Sequence, residues 1–174
     1  MQQLLTSEIS KTLDMKKLKS ILPGYCKVAR YDDLSRAKTL KDAMGSNTIL
    51  VLLFNVHDRQ HRILNEPGHF FVISTKKPGE TVVFSSTGMS PTKEMFLTKS
   101  DPSLLDRILP KNTVYNDYKF QKSKDSNTCW RWVLIYSHLA QIGLSKFQKL
   151  FGNVNLHINN PDFLSVVLTY ILLV

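Results

Sequence analysis

The sequence predicts an α+β fold, with a central mixed or antiparallel sheet flanked by helices. Three stretches carry that expectation. Thr48–Phe54 (TILVLLF) is a short apolar run of strand length. HFFVIST and TVVF flank Lys-Lys-Pro-Gly-Glu, a turn signal between two apolar runs. From Cys129 onward the apolar spacing becomes helical, and a second helix starts at Asn160-Pro161.

Taken in order, residues 4 to 20 alternate apolar and basic positions and stop before Pro23-Gly24, as a short helix or an extended arm. Asp33–Met44 reads as one helix closed by Gly45. After the Thr48–Phe54 strand, residues 55 to 68 are polar and end in Pro67-Gly68, a loop. The hairpin follows. Asp101–Ile108 has a capping Asp and a Pro for its first turn, so a helix is expected. Val114–Phe120 alternates as a strand does. CWRWVLIYSHLAQIG carries about four apolar turns ending at Gly143, and Ser126, Asn127 and Thr128 stand ready to cap it. The last helix, from Pro161, is apolar on nearly every side and should be buried or docked against a partner.

With 174 residues, 43% of them hydrophobic and 21% charged, the chain fits one domain with a real core. It divides into an N-terminal helical region, 1–45, and a core, 46–174. The first residues lack a secretory pattern, and the stretch from Phe163 to Val174 is too short to span a bilayer. Two cysteines, Cys26 and Cys129, do not make a disulfide framework or a thiolate zinc site. The net charge of +9 favours polyanions such as nucleic acid or acidic protein surfaces, or serves solubility.

The chemistry centres on Cys129. A thiol in the first turn of a long helix sits in the positive end of the helix dipole, which favours thiolate. A thiolate enzyme also needs a base and an oxyanion donor. His69 follows Pro-Gly and opens a strand, so its ring can project from the strand end. Gln121 stands eight residues before Cys129, where its amide can turn back toward an oxyanion. Other candidates are weaker. His57 and His61 read as a polar loop, because the metalloprotease motif would need Glu where Asp58 stands. His138 and Trp132 read as packing residues, Cys26 as a structural or exposed thiol, and Trp130 as a candidate cleft wall.

The order His69, hairpin, Gln121, Cys129 at a helix start resembles the adenovirus endopeptidase and the ubiquitin-like-protein proteases of the same clan. An aromatic residue after the His is present as Phe70, and SNTCWRWVLIYSHL looks like the nucleophile helix of viral members, with Trp130 where many have Gly. The stretch that in the family reads aromatic, acid, two residues, Gly is here Phe84, Ser85, Ser86, Thr87, Gly88. Ser85 thus stands in the place of the orienting acid. The resemblance leaves open whether Ser85 or another group, such as Ser86, Asn65 or Glu66, orients His69.

The resemblance covers roughly residues 48 to 140 and implies a papain-like cysteine protease of the adenovirus-protease type. It implies catalytic Cys129, His69, Gln121 and Ser85, with no cofactor required for the chemistry and DNA or a viral peptide as a candidate activator. By the same resemblance the substrate is a viral capsid or other structural protein, cut after a small residue during virion maturation. The chain would act as a monomer in the virion, the host cytoplasm or a virus factory, off the membrane and not secreted. The rivals are a protease for ubiquitin-like modifiers, an acetyltransferase on the same scaffold, and a non-catalytic basic module binding nucleic acid or capsid.

Overall fold

A computed structural model describes residues 8, 13–56, 68–122, 127–152 and 160–174. The sheet has five strands in the order β1 (Cys26–Arg30), β2 (Ile49–Phe54), β3 (His69–Ser74), β4 (Val82–Ser85) and β5 (Val114–Tyr115). The outer pairs, β1–β2 and β4–β5, are parallel; the inner pairs, β2–β3 and β3–β4, are antiparallel. The architecture is therefore α+β with a mixed sheet.

Helices cover both faces, which is why β2 reads as an unbroken apolar run rather than an alternation. On one face Ile49, Val51, Phe70, Val72, Val82 and Phe84 pack with α1 (Met15–Ile21), α5 (Cys129–Leu139) and α6 (Leu144–Gly152). On the other, Leu50, Leu52, Phe71, Ile73 and Val83 meet a 3-10 helix at Tyr31–Arg36, α2 (Leu40–Met44), α3 (Pro91–Thr98) and α4 (Ser103–Ile108). The last helix, α7 (Pro161–Leu173), packs on α5.

Most expected elements form where the local signals place them. The β3–β4 hairpin turns at Gly79, whose φ of 75° suits glycine. Gly143 closes the α5 segment after a 3-10 turn, and Asn160 caps α7 by accepting from the Asp162 N–H. Asp101 accepts from the Ser103 N–H at 2.9 Å, but the N-cap of α4 is Pro102 and the helix begins at Ser103, so Pro102 precedes the first turn rather than lying in it.

Four expectations are corrected. Asp33–Met44 is not one helix: Ala37 is extended, and Thr39 and Asp42 form a capping box that starts α2 afresh. Val114–Phe120 is a strand only over Val114–Tyr115. Asn116 ends it, because its side chain accepts from the Tyr118 N–H and donates to the carbonyls of Ser85 and Tyr118. The N-terminal region expected as helical also supplies β1, paired with β2. Thr128 stands at the N-cap of α5 but makes no side-chain cap bond there. Its hydroxyl donates to Asp162 instead. Two helices carried no sequence expectation, α3 and α6. Of the 4–20 segment, α1 forms over Met15–Ile21 with Asp14 as cap.

Candidate functional site

Strand parity builds the site. Phe70 and Val72 point to the α5 face, so His69, Phe71 and Ile73 belong to the opposite one. Phe71 pairs with Ser85 across the hairpin, and His69 lies two residues beyond it on the same face. That diagonal is within side-chain reach. His69 Nε2 lies 3.0 Å from Ser85 Oγ. Gly68 makes the approach feasible: a Cβ there would lie 1.9 Å from the Phe54 carbonyl oxygen, and only glycine lets β3 begin so close to β2.

The same face is roofed by α3, and α3 contributes Glu94. Its carboxylate is almost fully buried, and its Oε1 lies 3.3 Å from His69 Nε2. Ser85 Oγ donates to that oxygen at 2.5 Å and Thr87 Oγ1 at 2.6 Å. Since the Ser85 proton goes to Glu94, the Ser85 oxygen is left to accept from His69 Nε2–H. The imidazole is thereby held in one orientation, with Nδ1 the nitrogen available to a thiol.

Cys129 is the candidate for that place. It is 8% exposed, at the first position of α5, and it interacts electrostatically with His69. Burial alone would raise the thiol's pKa, but hydrogen bonding to His69, its charge, and the N–H groups of Phe70 and Trp130 bring it below the ordinary value. His69 moves the other way. Burial alone would lower it, but the Glu94 carboxylate and the Cys129 thiolate raise it to about 9. Both shifts run in the direction that favours a thiolate beside an imidazolium. His69 is not sealed off, since 18% of its side chain reaches solvent.

Gln121 is tied to the same strand end. Ser86 O accepts from the Phe120 and Gln121 N–H groups at 2.9 and 2.8 Å. Ser86 Oγ donates to Gln121 Oε1 at 3.1 Å. In this arrangement the amide turns its carbonyl end to Ser86.

Of the four residues the sequence named, His69 and Ser85 are hydrogen-bonded, Cys129 interacts electrostatically with His69, and Gln121 is bonded to Ser86, the residue after Ser85. The sequence missed Glu94. Ser85 is not the final orienter but a relay to a buried acid nine residues further on. Ser86 serves Gln121 rather than His69, and Asn65 and Glu66 lie outside the described residues, as do His57 and His61. The signal for α3 was present: Ser90-Pro91 is a cap followed by an N1 proline, and Glu94 falls in the first turn.

The remaining candidates fall outside this group. Trp132 is fully buried in the core, as expected. Trp130 is also buried and carries the Arg131 guanidinium 4.2 Å over its ring, so it is not an open cleft wall. His138 is half-buried, and burial lowers its pKa. Cys26 is a free thiol on β1, pushed up to about 11 by burial. Among the described residues no helix is long and apolar enough to cross a membrane. No protein-family model, curated protein or solved structure matches the chain.

Proposed function

We propose that the chain is a cysteine endopeptidase that works by thiolate acyl transfer. One observation supports this reading above the others: His69 bridges a helix-start thiol and a buried carboxylate, with its tautomer fixed by Ser85. A structural histidine needs neither neighbour.

The steps follow from the protonation states. Cys129 Sγ attacks the peptide carbonyl carbon, and the carbonyl electrons move to oxygen, which the Gln121 amide and the Cys129 N–H stabilise. His69 Nδ1 gives its proton to the amine nitrogen as the C–N bond breaks, leaving a thioester. Neutral His69 then takes a proton from water, the hydroxide attacks the thioester, and the thiolate leaves beside a re-formed imidazolium. Glu94 matters most when His69 is charged, and a hydroxyl alone supplies no such charge.

The substrate class rests on the resemblance: a viral capsid or structural precursor, cut after a small residue during virion maturation. DNA remains the candidate activator because of the +9 charge. The test is a peptide library made from a digested proteome, incubated with wild type, Cys129→Ala and His69→Ala and read by mass spectrometry. New termini that require Cys129 and His69 support the endopeptidase. Acetyl transfer from acetyl-CoA without amide cleavage would replace it with the acetyltransferase.

A further inference from the structure

We propose that Asp162, on the last helix, is a positioning residue of this acyl-transfer site, setting the Gln121 donor relative to the Cys129 thiol. The inference rests on the acyl-transfer reading above. Asp162 is 0% exposed. Its Oδ2 accepts from the Lys122 N–H at 3.2 Å, and its Oδ1 accepts from the Thr128 hydroxyl at 2.5 Å. Lys122 follows Gln121, and Thr128 precedes Cys129. One carboxylate thus holds the neighbours of both the oxyanion donor and the nucleophile, one on each of its oxygens.

The local cost of this arrangement argues that it has a purpose. Thr128 occupies the N-cap of α5 yet caps nothing with its side chain. A threonine cap stabilises a helix by about 1 kcal/mol. The hydroxyl is spent on Asp162 instead, and such departures from local preference concentrate at functional sites. Asp162 is itself held in place. Its N–H donates to Asn160 Oδ1 at 2.9 Å, and its carbonyl accepts from Ser165 Oγ at 2.7 Å. The hydrogen-bonded start of α7 is therefore the reference from which Gln121 and Cys129 are placed.

Two reactions of the same thiol separate positioning from folding. Alkylation by iodoacetamide forms no oxyanion. Acylation by p-nitrophenyl acetate does: Sγ attacks the carbonyl carbon, the ester C–O bond breaks, p-nitrophenolate leaves and a thioester forms. Both rates are measured in the Cys26→Ser background. Asp162→Ala is expected to lower the acylation burst tenfold or more while the alkylation rate and its pH midpoint stay within twofold. Asp162→Asn should restore most of the burst, because the amide accepts from Lys122 N–H and donates to the Thr128 oxygen. Should Asp162→Ala fail to fold, Thr128→Val, which removes one bond, should lower the burst severalfold with alkylation unchanged. Parallel loss of both rates, or loss of neither, overturns the positioning role. A wild type with no Cys129-dependent burst removes the acyl-transfer reading itself.

Discussion

At the scale of single residues, the histidine is the hinge of the site, and its neighbours predict graded effects. Glu94→Gln removes the charge that raises His69 while keeping an acceptor. Acyl transfer should fall roughly 10²-fold, within the range of general acid–base contributions, and the pH at which Cys129 becomes alkylated should rise. Ser85→Ala should cost less, because Glu94 Oε1 still lies 3.3 Å from Nε2. A pH–rate profile on both variants checks the order. The same charges fix the upper limb of the wild-type profile. His69 must be protonated to assist the leaving amine, and its raised pKa of about 9 keeps it so through neutral pH. Amide cleavage should therefore fall as pH rises through about 9. The stability that the charged ring contributes follows the same sign: it is present below the ordinary histidine range, near 6.5, and lost as pH rises through about 9. Cys129, His69 and Gln121 were proposed from local signals (a helix start, a Pro-Gly strand entry, a strand end eight residues before the cysteine), and Ser85 only through the resemblance. Glu94 was not, because its place depends on how α3 folds over the sheet.

At the scale of elements, two strand ends and one strand entry set the geometry. Gly68→Ala places a Cβ 1.9 Å from backbone, so β3 must shift where His69 begins it. A displacement of about 1 Å costs roughly 10²-fold in rate; acylation of Cys129 should drop by that order even where circular dichroism is unchanged. Asn116 is the counterpart on the β4–β5 side. It is buried and bonds the Ser85 and Tyr118 carbonyls; its loss leaves Ser85 O with the Gly88 N–H and takes from Tyr118 O the donor that Asn116 supplies. Asn116→Ala should destabilise the fold by about 1–3 kcal/mol in urea titration. The sequence conveyed β2, β3, β4, α5 and α7 well, since each has a continuous apolar pattern with punctuation at its ends. It overextended β5 because alternation from 114 to 120 persists while the Asn116 turn interrupts the ladder. It joined the 3-10 helix to α2 because the Thr39–Asp42 capping box lies inside an otherwise helical composition. β1 was missed for a related reason: CKVAR is short, and the residues of this strand are at most half-buried.

At the scale of the molecule, the site exists only where the two layers meet at the sheet end. Cys129 comes from the layer on one face, Glu94 from the layer on the other, and His69 passes between them. The α5 layer is anchored to the sheet close by. Phe84, next to Ser85, stacks on Tyr136 at 4.3 Å and meets the Phe147 ring edge at 5.4 Å. Phe84→Ala should cost about 3–5 kcal/mol by thermal or urea unfolding, with loss of the Cys129–His69 pair as the protein melts. The sequence could place each partner on its own element but not the stacking of one layer over the other, which is a long-range outcome of packing. The most direct measurement follows from that. In the Cys26→Ser background, the rate of Cys129 alkylation by iodoacetamide is followed against pH for wild type and His69→Ala, folded and in urea. Rapid alkylation below neutral pH that vanishes in His69→Ala and in urea is the predicted result. A folded wild type that alkylates only near the ordinary thiol range, around pH 8 to 9, and ignores His69 would contradict the thiolate–imidazolium pair.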